Sequence, residues 1–254
     1  MDDYRGWFSA TTGLAAPHAW QESLARDSRC HSRFIRIPTG LGKTLGVLSA
    51  WLYHRVVRQD DSWPRRLVWC LPMRVLVDQT QAEAQRLVQA TGRLWDGDPE
   101  GHQGKVGVHV LMGGSNAGDW ILHPEECAVL IGTQDMLLSR ALNRGYAAPR
   151  ARWPMEFGLL NSDCLWIMDE VQLMDVGLAT SAQLQQFRDD DRAKGLRPCL
   201  TWWMSATLQP DWLASVDTKA MVDSLRGTQL RLAASARDQG LCAVQKPCAL
   251  RSDV

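Results

Sequence analysis

Short, almost unbroken apolar runs alternate along the chain with longer stretches in which apolar residues recur every three or four positions. The runs at 33–37 (RFIRI), 66–71 (RLVWCL), 105–112 (KVGVHVLM), 128–133 (AVLIGT), 164–170 (CLWIMDE) and 199–207 (CLTWWMSAT) read as strands. The stretches at 44–57, 75–90, 135–144 and 178–188 read as helices, the second stopped by Gly92. Strands separated by helices of this length predict an α/β domain with a mainly parallel sheet and helices on both faces. Strands that are nearly all apolar fit the buried centre of such a sheet. Three segments break the pattern and read as loops: 95–104, acidic and glycine-rich; 145–158, mixing proline, arginine and aromatics; and 188–195, a charged helix-end connection. No internal repeat is visible. From about residue 227 the periodicity fades, and no structure is expected there.

The first strand runs into PTGLGKT (38–44), and a helix follows. That placement is the one a phosphate-binding loop requires. Successive backbone amides make a concave anion site, and a helix N-terminus adds partial positive charge. Gly40 and Gly42 permit the backbone angles, Lys43 would reach the β- and γ-phosphates of ATP, and the Thr44 hydroxyl would ligate Mg²⁺. Thr39 joins the candidate loop; the alternative is a strand–helix turn in which Thr39 caps the helix. The general motif has glycine where this chain has Ile37, at a strand end where a larger residue can be tolerated.

A second strand ends in an acidic pair, Asp169 and Glu170. Phosphoryl transfer needs an acid near the metal and a group that positions water. Asp169 is the candidate for Mg²⁺ and Glu170 for orienting or deprotonating the attacking water, the alternative being a solvated pair at a strand end. Glycine loop and acid lie 126 residues apart, so only a folded sheet can join them.

Composition narrows the picture without changing it. The 254 residues are 45% hydrophobic and 22% charged, ordinary for a globular chain. With 28 basic and 28 acidic residues, any nucleic-acid contact must be local. Seven cysteines without C-x-x-C spacing or a His-rich partner segment argue against a disulfide framework or a zinc site and fit a reducing cytosol. No signal peptide and no membrane-spanning run is seen, so a cytoplasmic location is expected. The 12 tryptophans are expected to be mostly packing.

PTGLGKT, DEVQ (169–172) and SAT (205–207) together resemble motifs I, II and III of superfamily 2 helicases. MDEVQLMDVGLATSAQLQQFR (168–188) and PMEFGLLNSDCLWIMDE (154–170) resemble more narrowly the motor of the CRISPR-associated helicase–nuclease of type I interference systems. The resemblance covers roughly residues 5–215 and implies a RecA-like P-loop NTPase fold over residues 1–226, with ATP and Mg²⁺ as cofactors. It implies that Gln21, in PHAWQ, reads the adenine edge, with the start of an amphipathic helix as the alternative. Gln172, Ser205 and Thr207 would couple hydrolysis to domain movement. LPMRVLVDQT (71–80) and GTQDML (132–137) resemble motifs Ia and Ib, making Pro72, Arg74, Gly113, Gly114, Thr133 and Gln134 candidate contacts to single-stranded DNA; ordinary turn and cap roles are the alternative. The basic aromatic segment with Arg150, Arg152, Trp153 and Phe157 reads as an insertion packed on the domain.

Full-length members of that family carry two motor lobes and an HD nuclease. No Q-x-x-G-R segment follows residue 207 and no histidine precedes an aspartate, so the chain reads as one motor lobe, truncated or split, whose second lobe and nuclease a separate chain could supply. An arginine finger from a second lobe is worth about 10³–10⁵ in rate. The implied partners are single-stranded DNA and the CRISPR RNA-guided surveillance complex. A restriction-type DNA translocase lobe and a non-catalytic nucleotide-binding module are the competing readings.

Overall fold

The computed structural model describes residues 4–98, 100–112, 119–146, 148–192 and 194–232. In chain order these form α1 (Tyr4–Thr12), α2 (Ala19–Ala25), β1 (Arg33–Arg36), α3 (Lys43–Trp51), β2 (Arg66–Leu71), α4 (Arg74–Ala90), β3 (Val106–Leu111), β4 (Cys127–Thr133), α5 (Gln134–Ala141), α6 (Trp153–Asn161), β5 (Cys164–Asp169), α7 (Val176–Arg192), β6 (Cys199–Ser205), α8 (Lys219–Leu225) and β7 (Leu230–Arg231). The strands make one sheet in the order β3-β4-β2-β5-β6-β1-β7. Every pairing in it is parallel. This is the α/β architecture with a parallel sheet that the apolar runs predict.

The strands divide the core by their period of two. On β2, Leu67, Trp69 and Leu71 face one layer, with α1 to α4, while Val68 and Cys70 face the other, with α5 to α8. The same alternation runs through β5 and β6, where Leu165 and Ile167 oppose Trp166 and Met168, and Trp202 and Met204 oppose Trp203. Both faces are covered, which is why these strands read as continuous apolar runs rather than as alternating ones.

Four elements differ from the sequence reading. The single helix expected over 44–57 is α3 followed by a π-helical turn at Leu52–Val57. The wider turn coincides with His54 stacking on Trp63, ring centroids 4.3 Å apart, and with a 2.7 Å contact from its Nε2 to the Ala25 carbonyl. The 145–158 segment is not all loop: α6 begins there, with Pro154 in the first helical turn, where a missing N–H costs nothing. It packs on α5 through Arg140 and Glu156, a fully buried pair at 2.6 Å. Helix α7 runs on to Arg192, through half of the expected charged connection. Past residue 227, Leu230 and Arg231 pair with Ile35 and Arg36 as a short edge strand.

Among the described residues no helix is long and apolar enough to cross a membrane.

Candidate nucleotide site

The parallel sheet delivers the ends of β1, β2, β5 and β6 to one edge, and the glycine loop and the acidic pair meet there. Ile37 is fully buried and joins the core on the face of α1 to α4, and it lacks the positive φ that demands glycine. Gly40 and Gly42 carry that burden, at φ +82° and +65°. Gly42 is the N-cap of α3, so Lys43 and Thr44 open its first turn.

Helix α2 holds the loop from behind. The indole of Trp20 donates to the Leu41 carbonyl at 3.2 Å, and the Gln21 amide donates to the Gly42 carbonyl at 2.9 Å. Gln21 also accepts from the His18 backbone N–H at 2.8 Å. The residue expected to read an adenine edge is thus turned onto the loop backbone and is 1% exposed. The packing is close because α3 lacks a side chain where α2 crosses it. A Cβ at Gly46 would lie 2.4 Å from the Trp20 ring and 2.8 Å from Gln21 Cγ.

Lys43 Nζ donates to Glu170 Oε1 at 3.0 Å, bridging the two motifs. Gln172 donates to the other Glu170 oxygen at 2.7 Å, and Ser205 donates to Gln172 Oε1 at 2.5 Å. The Thr207 backbone N–H closes on Ser205 Oγ at 3.1 Å. An unbroken relay therefore links the glycine loop, the strand-end acid and the turn after β6. Glu170 itself sits in the left-handed region at φ 51°, an unusual conformation for a side-chain-bearing residue.

Asp169 is 6% exposed. Its carboxylate accepts from the Trp69 indole at 3.2 Å and from the Glu170 backbone N–H at 2.9 Å. Burial, reinforced by the neighbouring Glu170 charge, pushes its pKa to about 6, against the pull of Lys43 and the two donors. For Glu170, burial works in the same upward direction, but Gln172 and Lys43 outweigh it and hold the group below its ordinary value. The two adjacent carboxylates are thus driven apart in acidity by their surroundings.

A cleft of about 520 Å³ is lined by Thr39, Gly40, Gly42, Lys43, Thr44, Asp169 and Glu170, together with Gln79, Thr80 and Glu83 of α4. Its size suits a nucleotide. Thr44 and Asp169 bring a neutral hydroxyl and a carboxylate to the same space, a hard oxygen set that fits Mg²⁺ with water completing the shell. Sequence reasoning did not find Trp20, Trp69 or the α4 wall, because indole donors and a helix flank carry no motif.

The candidate nucleic-acid residues fall on a different part of the same edge. Pro72, Arg74 and Thr133 line one groove of about 440 Å³, which also includes Asp135 and Tyr146. Gln134 lines the adjoining one, with Asp135 and Tyr146 common to both. Arg74 is exposed, whereas Thr133 is 9% exposed and sits at the N-cap of α5 without a side-chain cap bond. Gln134 Oε1 is buried without a hydrogen-bond partner, beside Gly177, where a Cβ would lie 2.2 Å from it. Gly113 and Gly114 lie outside the described residues.

The profile of the DEAD/DEAH box helicase family matches residues 18–216, most of the chain. The chain belongs to the DEAD/DEAH box helicase family. The match includes the glycine loop, the DEVQ stretch and the SAT turn, so this helicase domain is an ATP-binding domain. Solved structures share its fold at low identity. The DUF1998 helicase MrfA bound to DNA aligns with TM-score 0.58 at 18% identity, covering 91% of this chain and 27% of that one. Saccharomyces cerevisiae Dbp5 bound to RNA and ADP BeF3 aligns at 0.53 and 15% identity, covering 92% and 50%. A hypothetical ATP-dependent RNA helicase from Sulfolobus tokodaii aligns at 0.52 and 17% identity, covering 90% and 56%. The helicase domain thus spans about half or less of the helicase structures Mss116, Prp28 and Dbp5, at 40%, 48% and 50% of their lengths. No curated protein matches the chain.

Proposed function

We propose that this chain is the ATP-binding lobe of a DNA helicase or translocase that acts in CRISPR type I antiviral defence, and that by itself it is an incomplete motor. The observation that carries the motor reading is the relay from Lys43 through Glu170 and Gln172 to Ser205. A γ-phosphate that draws Lys43 away from Glu170 would be felt at the turn after β6, and through that turn by whatever packs there. Lys43 binds phosphate, Thr44 and Asp169 hold Mg²⁺, and Glu170 positions water. Magnesium, when bound, supplies charge neutralisation at the phosphates.

The DEVQ spelling and the 154–188 stretch support the CRISPR assignment. The exposed Arg74 and the groove at Pro72 and Thr133 support contacts to a single strand's phosphates. The surveillance complex would present that strand, and a second lobe would supply the arginine.

Calorimetry with Mg·ATP is the first test. The parent should bind and Lys43→Ala should not, with an unchanged circular dichroism spectrum; equal affinity in the two proteins would move the site elsewhere. Fluorescence anisotropy with single-stranded DNA and RNA, and with R-loops held by a surveillance complex, tests the finer reading. Preference for RNA, with no binding to the loaded complex, would overturn it.

A further inference from the structure

Far from the nucleotide cleft, two connections enter the edge strand β3 and its neighbour β4 in matched register. Val106 opens β3 and pairs with Cys127, which opens β4. His102 precedes the first by four residues and His123 precedes the second by four, so the pairing of the strands sets the two imidazoles side by side. Their ring centroids are 3.8 Å apart. Glu125, two residues after His123, joins them. His102 Nε2 and His123 Nδ1 lie 3.6 Å and 3.7 Å from the same carboxylate oxygen.

We propose that His102, His123 and Glu125 form a binding site for a divalent transition-metal ion of the zinc class. Four ligands at about 2.0–2.2 Å around a tetrahedral ion are about 3.4 Å from one another. The two His–Glu separations are within a few tenths of an ångström of that value. All three donor atoms lie within 4.8 Å of one another. Two imidazoles and a carboxylate suit zinc, nickel, cobalt or copper rather than magnesium or calcium. A small cavity adjoins the two imidazoles. It measures about 20 Å³, room for one water molecule or ion, and is lined by Trp95, His102, His109, Trp120, His123 and Glu126; Lys105 and Cys127 also line it, and Glu125 stands outside it. Gly107 keeps that space open, because a Cβ there would lie 2.2 Å from His109 Nε2. The loops are already tied at one point, where the Gly104 N–H donates to Glu126 at 3.0 Å. A metal would add a second tie between segments 95–104 and 122–126. It would brace the sheet at its β3 edge, on the side where the strands begin, and leave the nucleotide cleft untouched.

The test uses the full 254-residue chain, stripped with chelator and dialysed. Zn²⁺ titrated by calorimetry should bind at one equivalent near neutral pH and raise the Tm, with Mg·ATP affinity unchanged. Co²⁺ should bind with a ligand-field spectrum free of thiolate charge transfer. The double variant His102→Gln/His123→Gln should lose that equivalent. Glu125 is exposed, so Glu125→Gln keeps the fold and should weaken binding by about tenfold or more. The proposal falls if the parent takes up no Zn²⁺, if the double variant retains its equivalent, or if Co²⁺ shows thiolate charge transfer, which would place the metal on cysteines.

Discussion

The lysine proposed to meet phosphate is held by an internal carboxylate. Lys43 gives a hydrogen bond to Glu170 at 3.0 Å, with side-chain exposures of 8% and 20%. ATP therefore competes with an internal carboxylate, and Glu170→Gln should bind Mg·ATP more tightly than the parent. Fully exposed ion pairs contribute about 0–1 kcal/mol, and hydrogen bonds to charged groups about 1.5–3 kcal/mol. This pair lies between the two, and glutamine retains an oxygen that can accept from Lys43. Only the charge component is lost, about 1 kcal/mol, which corresponds to roughly fivefold in affinity. Removing a negative charge beside the phosphates acts in the same direction. Calorimetry with Mg·ATP on the parent and on Glu170→Gln measures the difference directly. A Glu170→Gln domain that binds equally or more weakly would show that Lys43 is not held back by the ion pair, and the relay would lose its trigger.

The remaining predictions concern pH, turnover, packing and DNA. Asp169 has a folded pKa of about 6. The unfolded value is about 4, so the native state keeps a proton that the unfolded state has lost between these limits. That contribution to stability is present at low pH and disappears as pH rises through about 6. Mg²⁺ needs the ionised form, so its affinity should fall about tenfold per pH unit below about 6, with the fall beginning at lower pH in Glu170→Gln; a flat profile refutes the assignment. Residues 1–254 alone should hydrolyse ATP near background with or without single-stranded DNA, and robust DNA-stimulated turnover by a verified monomer refutes the incomplete motor. Gly46→Ala should cost about 1–3 kcal/mol in denaturant titration, because the new methyl meets the buried Trp20 ring at 2.4 Å; an unchanged midpoint would mean that α2 moves freely. Arg74→Ala should weaken single-stranded DNA binding equally for all sequences and flatten the salt slope, whereas a changed base preference would remove Arg74 from the phosphate track.

The central fold was legible because its strands are buried on both faces and so write themselves as apolar runs: RLVWCL is β2 to the residue. What was hidden lacks such a signature. Helix α1 carries Gly6 in its first turn and α6 carries Pro154 in its first turn, so both weaken the helical pattern that tertiary packing then imposes. Strand β7 is two residues long and exists only because β1 offers an edge. In the site, Gly40, Gly42, Lys43, Thr44, Asp169 and Glu170, which share one cleft, could be nominated because a nucleotide loop and its acid recur in fixed spellings. The grip of Trp20 and Gln21 on the loop, the acidity of Asp169 and the meeting of His102 with His123 depend on which elements lie side by side. No local spelling records that.

The tryptophans give the domain an optical property. Six of them are fully buried in the core, among them Trp69. Trp69 donates to Asp169, the proposed Mg²⁺ acid, and Trp20 to the Leu41 carbonyl of the glycine loop. An indole's emission follows the polarity and hydrogen bonding around its N–H, so these two chromophores would report on nucleotide and Mg²⁺ if both bind as proposed. A loop that rearranges around phosphate changes the environment of Trp20, and a cation arriving at Asp169 changes that of Trp69. Ligand-dependent change in the summed indole emission is therefore expected, and Trp20→Phe and Trp69→Phe would assign it.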